Sequence, residues 1–423
     1  MAARQPPWLA EGLAYLWLPY AQMKTVAPPL AVTRTEGCRI FLADGRELID
    51  GTASWWTACH GYNHRHIREC AVRQLEQMPH VMFAGLAHEP ATRLATRLAQ
   101  LLPGDLDHVF FSESGSVAVE IALKMARQYW RNLGQHRPRL LAFRDGYHGD
   151  TLGAMAVSDP EHGMHQGLKD HLPPSLIADL PRDEASAAAL AALIEQHRGD
   201  LAAIIVEPLV QGAGGMVFHD AIVLQRLRAL ADRYELLLIF DEVFTGFGRT
   251  GTLFASEAAG AVPDIVTLSK ALTGGTLPLA ATVARDHVFA AFWSDDPALA
   301  LMHGPTFMAN PLGCAAANAS LDLFAREPRL AQVAAIERAL TEGLAPCADL
   351  AGVIDVRVKG AIGVVELEAI PDLAGLRRRF VEAGVWIRPF GRIVYLTPAF
   401  TIVSDELAQL TGAIRKVLAE SVS

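Results

Sequence analysis

Short apolar runs ending at polar or glycine positions alternate with helix-period stretches through the middle of the chain. HVFFS (108–112), LLAFRD (140–145), LAAIIVEP (201–208), ELLLIFDE (235–242) and PDIVTLS (263–269) read as strands. Between the first two, Ala118, Ile121, Ala122, Met125, Ala126 and Tyr129 recur at the spacing of one helix face. DEASAAALAALIEQHRG (183–199) reads as an ordinary surface helix. Fully apolar strands separated by helices predict a mostly parallel sheet covered on both faces, in an α/β fold.

The two ends differ from the middle. IFLADGRELIDG predicts two short strands about the Asp44-Gly45 turn. VIDVRVKGAIGVVEL (353–367) and VWIRPFGRIVYLTP (385–398) predict a hairpin-like, partly antiparallel unit. A large central domain over 61–305 is expected, with a smaller α+β domain built from 1–60 and 306–423.

Hydrophobic residues make up 51% of the 423 positions and charged residues 20%, which excludes a disordered chain. The net charge of −9 comes without a basic run, so neither nucleic acid nor an anionic membrane is an expected partner. Five cysteines without a CxxC pair predict neither a disulfide framework nor a zinc ribbon, and fit a reducing cytoplasm. No secretory h-region and no membrane-length apolar run is read.

Ligands of an open parallel sheet bind beyond the carboxyl ends of its strands, so the polar residues there are the candidates. Asp241 directly follows LLLIF, and Lys270 directly follows PDIVTLS. Each alone fits an ordinary salt bridge. Together they fit pyridoxal phosphate: a lysine holds the aldehyde, and a carboxylate keeps the pyridine nitrogen protonated. Glu242 points the other way on an extended strand and reads as structural. In SESGSVAVEIAL, Ser114, Gly115 and Ser116 form a turn into a helix, a place for a phosphate or simply an N-cap. Tyr147, in FRDGYHGDT, is either a ring that stacks on a cofactor or a packed turn residue.

Two motifs point elsewhere. GFGRTG (246–251) matches GxGxxG, but Asp241 to Thr245 separate it from the strand and no acid stands about 20 residues on. His60 and His64 are four apart, but Gly61, Tyr62 and Asn63 between them form helices poorly. No metal site is read there.

The series SESGSVAVE, FRDGYHGDTLGAM, VEPLVQGAGGM, LIFDEVFTGFGRTG, TLSKALTGG and HGPTFMANP resembles the class III aminotransferases of fold type I, in order along the whole chain. That resemblance implies a pyridoxal-phosphate transaminase with a seven-stranded, mostly parallel sheet. It implies Lys270 and Asp241 as catalytic residues. The phosphate turn would be Gly115 and Ser116, with Tyr147 beside the ring and Pro305 and Thr306 reaching the phosphate of a partner subunit in a homodimer.

WLPYAQM, ASWWTACHGYNH, MHGPTFMANPLGCAAANASL and GVWIRPFGRIVYL are similar to one branch of that family. Its members pass the amino group of S-adenosylmethionine to 8-amino-7-oxononanoate in biotin biosynthesis, by a ping-pong exchange through pyridoxamine phosphate. The resemblance implies Tyr20 in the donor step, Trp55, Trp56, Tyr147 and Gly304 as substrate contacts, and Arg388 as the cation for the acceptor's carboxylate. Ala213 stands where many class III members carry Glu, and the Arg they carry near Tyr395 is absent. A glutamate donor is therefore not implied. The alternatives are a related transaminase using lysine or an ω-amine, an aminomutase on the same cofactor, and a dehydrogenase using GFGRTG.

Overall fold

The computed structural model describes residues 6–161, 163, 164 and 166–421. The outermost residues of the two expected terminal segments, 1–5 and 422–423, lie outside the described residues. The chain forms two compact units, Arg65–Val333 and the pair Met1–His64 with Ala334–Ser423.

The larger unit is built on a seven-stranded sheet. Its order is Leu106–Ser112, Ala280–Arg285, Ile265–Leu268, Leu237–Asp241, Leu201–Val206, Arg139–Phe143 and Leu176–Ala178. Ala280–Arg285 runs antiparallel to both neighbours, and the other pairings are parallel. All six residues of Leu201–Val206 are buried, as a central strand covered on both faces requires. Gly115–Asn132 presents Ala118, Ile121, Ala122, Met125 and Ala126 to the core. These pack with Leu140, Ala203, Ile205, Ile239 and Ile265 from the strands. Each buried leucine, isoleucine or methionine among them contributes roughly 1.5–3 kcal/mol. The helix Glu184–Gln196 buries only Leu190 and Ile194, as its uniform alanine pattern predicts.

In the smaller unit, Val32–Glu36, Arg39–Leu42 and Glu47–Asp50 form an antiparallel meander. Val353–Lys359 and Ile362–Leu367 form the expected hairpin. The segment 385–398 divides instead of pairing with itself along its length. Val385–Trp386 joins Glu47–Asp50 in parallel, and Ile393–Leu396 joins Ile362–Leu367 antiparallel in a separate sheet. Pro389 lies between the two pieces and has no N–H to continue a ladder.

Candidate active site

Parallel strands deliver their carboxyl ends to one edge of the sheet. Asp241 closes Leu237–Asp241, and Glu207 follows the adjacent strand, where Val206 pairs with Phe240. Lys270 lies two residues past Ile265–Leu268 on the other side. Tyr147 and His148 sit in the loop after Arg139–Phe143.

An ionised carboxylate is costly to bury unless it is hydrogen-bonded. Asp241 is 4% exposed and fully partnered. His148 Nδ1 lies 2.7 Å from its Oδ2, while Val243 N and Thr267 Oγ1 each donate to Oδ1 at 3.1 Å. A carboxylate only accepts, so Nδ1 carries the proton. Burial alone would lower the affinity of His148 for a second proton. The hydrogen bond and charge of Asp241, with Glu207 nearby, outweigh burial and raise the imidazole above its ordinary value.

Glu207 Oε2 accepts from Tyr147 N at 3.0 Å and Oε1 from Gly212 N at 2.9 Å. The one side chain thus ties together the loops that follow two adjacent strands. Burial pushes its carboxyl up to about 7, with the Asp241 charge adding to the rise and His148 opposing it.

Lys270 occupies a left-handed backbone conformation, φ +44°, which a residue with a Cβ rarely adopts. Burial pulls its ammonium down to about 8, against the stabilising charges of Asp241 and Glu207. Nζ stands 5.7 Å above the ring of Phe244. About a tenth of such an amine is neutral at pH 7, several-hundredfold more than of an ordinary lysine, and the neutral form is the nucleophile.

The helix Gly115–Asn132 starts beside this cluster. Ser114 takes the cap role, its side chain accepting from Val117 N at 3.3 Å. A Cβ on Gly115 would stand 2.7 Å from Val243 Cγ1 and 3.5 Å from Ser269 Cβ. Gly115 therefore lies between the strand ends bearing Asp241 and Lys270. Ser116 Oγ accepts from Thr151 N at 2.9 Å and donates to Thr151 Oγ1 at 3.0 Å. Only glycine permits this at position 149, where φ is +128° and a Cβ would lie 2.3 Å from that same hydroxyl. Tyr147 is held in the loop by its hydroxyl, which donates to Asp150 at 2.9 Å.

A lowered lysine, a buried carboxylate and a glycine-floored helix start suit pyridoxal phosphate. Lys270 could meet its aldehyde, Asp241 its ring nitrogen, and the first amides of the helix its phosphate.

The smaller unit gathers a second set. Tyr20 meets Trp55 edge to face with centroids 6.1 Å apart. Arg388 lays its guanidinium over the Trp55 ring at 4.7 Å, and Trp56 packs against Tyr395 at 6.2 Å. Gly304 and Thr306 flank Pro305 in an exposed loop of the larger unit, ahead of Pro311–Arg326.

GFGRTG lies in turns, and the next helix begins only at Ala255, so it does not open a dinucleotide-binding helix. Glu242 accepts from Ala255 N and Ser256 N at 2.7 and 3.0 Å, the structural part read from the sequence. His148 and Glu207 were not singled out from the sequence. Their signal is position alone: Glu207 directly follows a buried strand, and His148 lies five residues past the end of another.

A family model described as aminotransferase class-III matches residues 20–418. The adenosylmethionine-8-amino-7-oxononanoate aminotransferase of Mycobacterium leprae is 47% identical, over 96% of each chain. The crystal structure of the enzyme of that name from Methanocaldococcus jannaschii superposes with a TM-score of 0.93 at 32% identity, covering 98% of each chain. An amine transaminase from an uncultivated Pseudomonas species, solved in a PLP-bound form, gives 0.89 at 33% identity, covering 96% of this chain and 99% of that one. The chain belongs to the class III aminotransferases.

Proposed function

We propose that this chain is a pyridoxal-phosphate transaminase that takes the amino group of S-adenosylmethionine and delivers it to the ketone of 8-amino-7-oxononanoate, giving 7,8-diaminononanoate. The observation that carries the substrate assignment is the 47% identity to the M. leprae enzyme across nearly both whole chains. When bound, pyridoxal phosphate supplies an aldehyde and an electron-accepting ring that stores the amino group between the two half-reactions.

The residues divide the remaining work. Lys270 Nζ, far more easily deprotonated than an ordinary lysine, is the amine that would hold the aldehyde; freed by the donor, it would move the proton at the donor's α-carbon. Asp241, braced by His148, holds a proton at the ring nitrogen. The Gly115 and Ser116 amides hold the phosphate, and Tyr147 covers the ring. Tyr20 serves the donor. Trp55 and Trp56 wall the acceptor's alkyl chain, and Arg388 pairs with its carboxylate.

A second copy of the chain is the proposed partner, with its Gly304, Pro305 and Thr306 completing the site. The exposure of Thr306, Tyr15 and Trp17 supports this, since a partner would cover them. The cytoplasm, where both substrates are small soluble molecules, is the proposed location. Among the described residues no helix is long and apolar enough to cross a membrane.

The test is a donor panel on the purified holoenzyme, followed by absorbance and by mass detection of the diamine. S-adenosylmethionine should bleach the aldehyde band, and the keto acid should restore it. If lysine or an ω-amine does this and S-adenosylmethionine does not, the chain is instead a transaminase of the kind the Pseudomonas structure represents.

A further inference from the structure

The turn that carries the two tryptophans is wound the wrong way. Ala53, Ser54, Trp55 and Trp56 all have positive φ, at 44°, 51°, 56° and 72°. Ser54 and Trp55 have ψ of 57° and 50°, so this is a left-handed helical turn without a glycine. Trp56 N donates to Thr52 O and Thr57 N to Ala53 O, both at 2.9 Å. L-residues crowd Cβ against the backbone in this conformation, and it persists only where the surroundings impose it.

The Thr57 and Thr397 hydroxyls donate to Ser54 O and Thr52 O, and at the centre of the turn lies one carboxylate. Asp50 is 2% exposed, and its oxygens accept four hydrogen bonds. Oδ1 takes Thr52 N at 2.7 Å and Thr52 Oγ1 at 2.8 Å, while Oδ2 takes Ser54 N at 2.9 Å and the Tyr62 hydroxyl at 2.6 Å. The backbone beside it is paired with the strand that leads to Arg388. Asp50 pairs in register with Trp386, and Gly51 N donates to Trp386 O at 3.0 Å, two residues before the arginine. A Cβ on Gly51 would stand 2.7 Å from Leu396 Cδ2, so the junction is close-packed. Arg377 grips the next carbonyl, donating to Pro389 O through Nε at 3.2 Å and Nη2 at 2.8 Å. Trp55, thrown out by the left-handed turn, then receives the Arg388 guanidinium on its ring face.

We propose that Asp50 is a positioning residue for acceptor recognition: its carboxylate holds the left-handed turn 53–56, which sets Trp55 as the platform that orients Arg388. This rests on the assignment of Arg388 to the acceptor's carboxylate. Selectivity for a carboxylate-bearing ketone is then stored partly in the strained backbone beneath the tryptophans that meet it.

The experiment compares wild type, Asp50→Asn and Asp50→Asn/Ser54→Gly as holoenzymes. An amide in place of the carboxylate presents N–H to donors already there, whereas glycine at position 54 adopts the left-handed conformation without penalty. The main readout is the ratio of kcat/KM for 8-amino-7-oxononanoate to that for a matched ketone lacking the carboxylate. Asp50→Asn should reduce that ratio about tenfold, and the added glycine should restore a large part of it. The second readout needs no substrate: near-ultraviolet circular dichroism of Asp50→Asn should lose the tryptophan feature that Trp55→Phe removes. Should Asp50→Asn fail to fold, Tyr62→Phe removes one of the four hydrogen bonds without adding a donor, and should shift both readouts in the same direction by about threefold. Equal loss on both ketones, or an unchanged tryptophan signal, overturns the proposal. A wild type that ignores the carboxylate overturns the Arg388 assignment instead, and the tryptophan signal still decides whether Asp50 holds the turn.

Discussion

His148 Nδ1 and Asp241 Oδ2 stand 2.7 Å apart, joining residues 93 positions distant in sequence. The imidazole fixes the rotation of the carboxylate and leaves Oδ1 to Thr267 and Val243. Replacing His148 with Phe removes that brace and leaves Asp241 short of a partner. The variant should lose about ten- to hundredfold in the proton-transfer rate, from roughly 1.5–3 kcal/mol of charge-assisted bonding. Single-turnover absorbance with S-adenosylmethionine measures this. A wild-type rate would reduce His148 to a packing residue.

Asp241→Asn should be more severe than His148→Phe. Asparagine keeps the shape but cannot hold a proton at the ring nitrogen. Proton abstraction should fall further than cofactor occupancy, which titration with pyridoxal phosphate measures separately.

Lys270→Ala should fold and lose about 10^3-fold or more in turnover, the usual scale for a positioned acid–base group. The amine itself can be followed in cofactor-free protein by reductive alkylation. Its reactivity should rise with a midpoint near pH 8, not near the ordinary lysine value of 10.5. The sign for stability follows. Between about 8 and 10.5 the unfolded chain binds more protons at this position, so its contribution to stability grows with pH. Lys270→Met should abolish that growth in denaturant titrations at pH 8 and pH 10.

Glu207 works in the opposite sense. Its folded value of about 7 lies above the ordinary 4.5, so the folded state binds more protons in that window. The contribution is fully present below 4.5 and is lost as pH rises toward 7. Glu207→Gln should remove this slope, while losing one of two backbone acceptor contacts at roughly 1–3 kcal/mol. Urea midpoints at pH 5 and pH 8 decide; parallel shifts in the two proteins would contradict it.

Arg388→Ala should cost about ten- to hundredfold in kcat/KM for the keto acid and much less in the donor half-reaction. Equal losses in both halves would make Arg388 a support for the shared chemistry.

Much of this was legible because burial writes itself plainly into sequence. A parallel strand covered on both faces must be apolar throughout, so the first polar residue after LLLIF or PDIVTLS stands out, and Asp241 and Lys270 were found that way. Ala280–Arg285 is hard to read as a strand, because LAATVAR carries small residues and only one β-branched aliphatic. His148 looks like any loop histidine until the fold brings Asp241 to it. The left-handed turn is invisible for a different reason: no glycine or asparagine marks it. The conformation is imposed by Asp50, which reads locally as the last residue of a strand.

The lowered Lys270 amine exists only once three strands have been laid side by side, because the two carboxylates beside it follow strands other than its own. On a nascent or partly unfolded chain the same lysine is an ordinary ammonium, indistinguishable from its neighbours. Aldehyde reactivity is thus acquired when those strands come together, not carried by the sequence alone. The appearance of that fast-reacting lysine can serve as a clock for the pairing of those three strands.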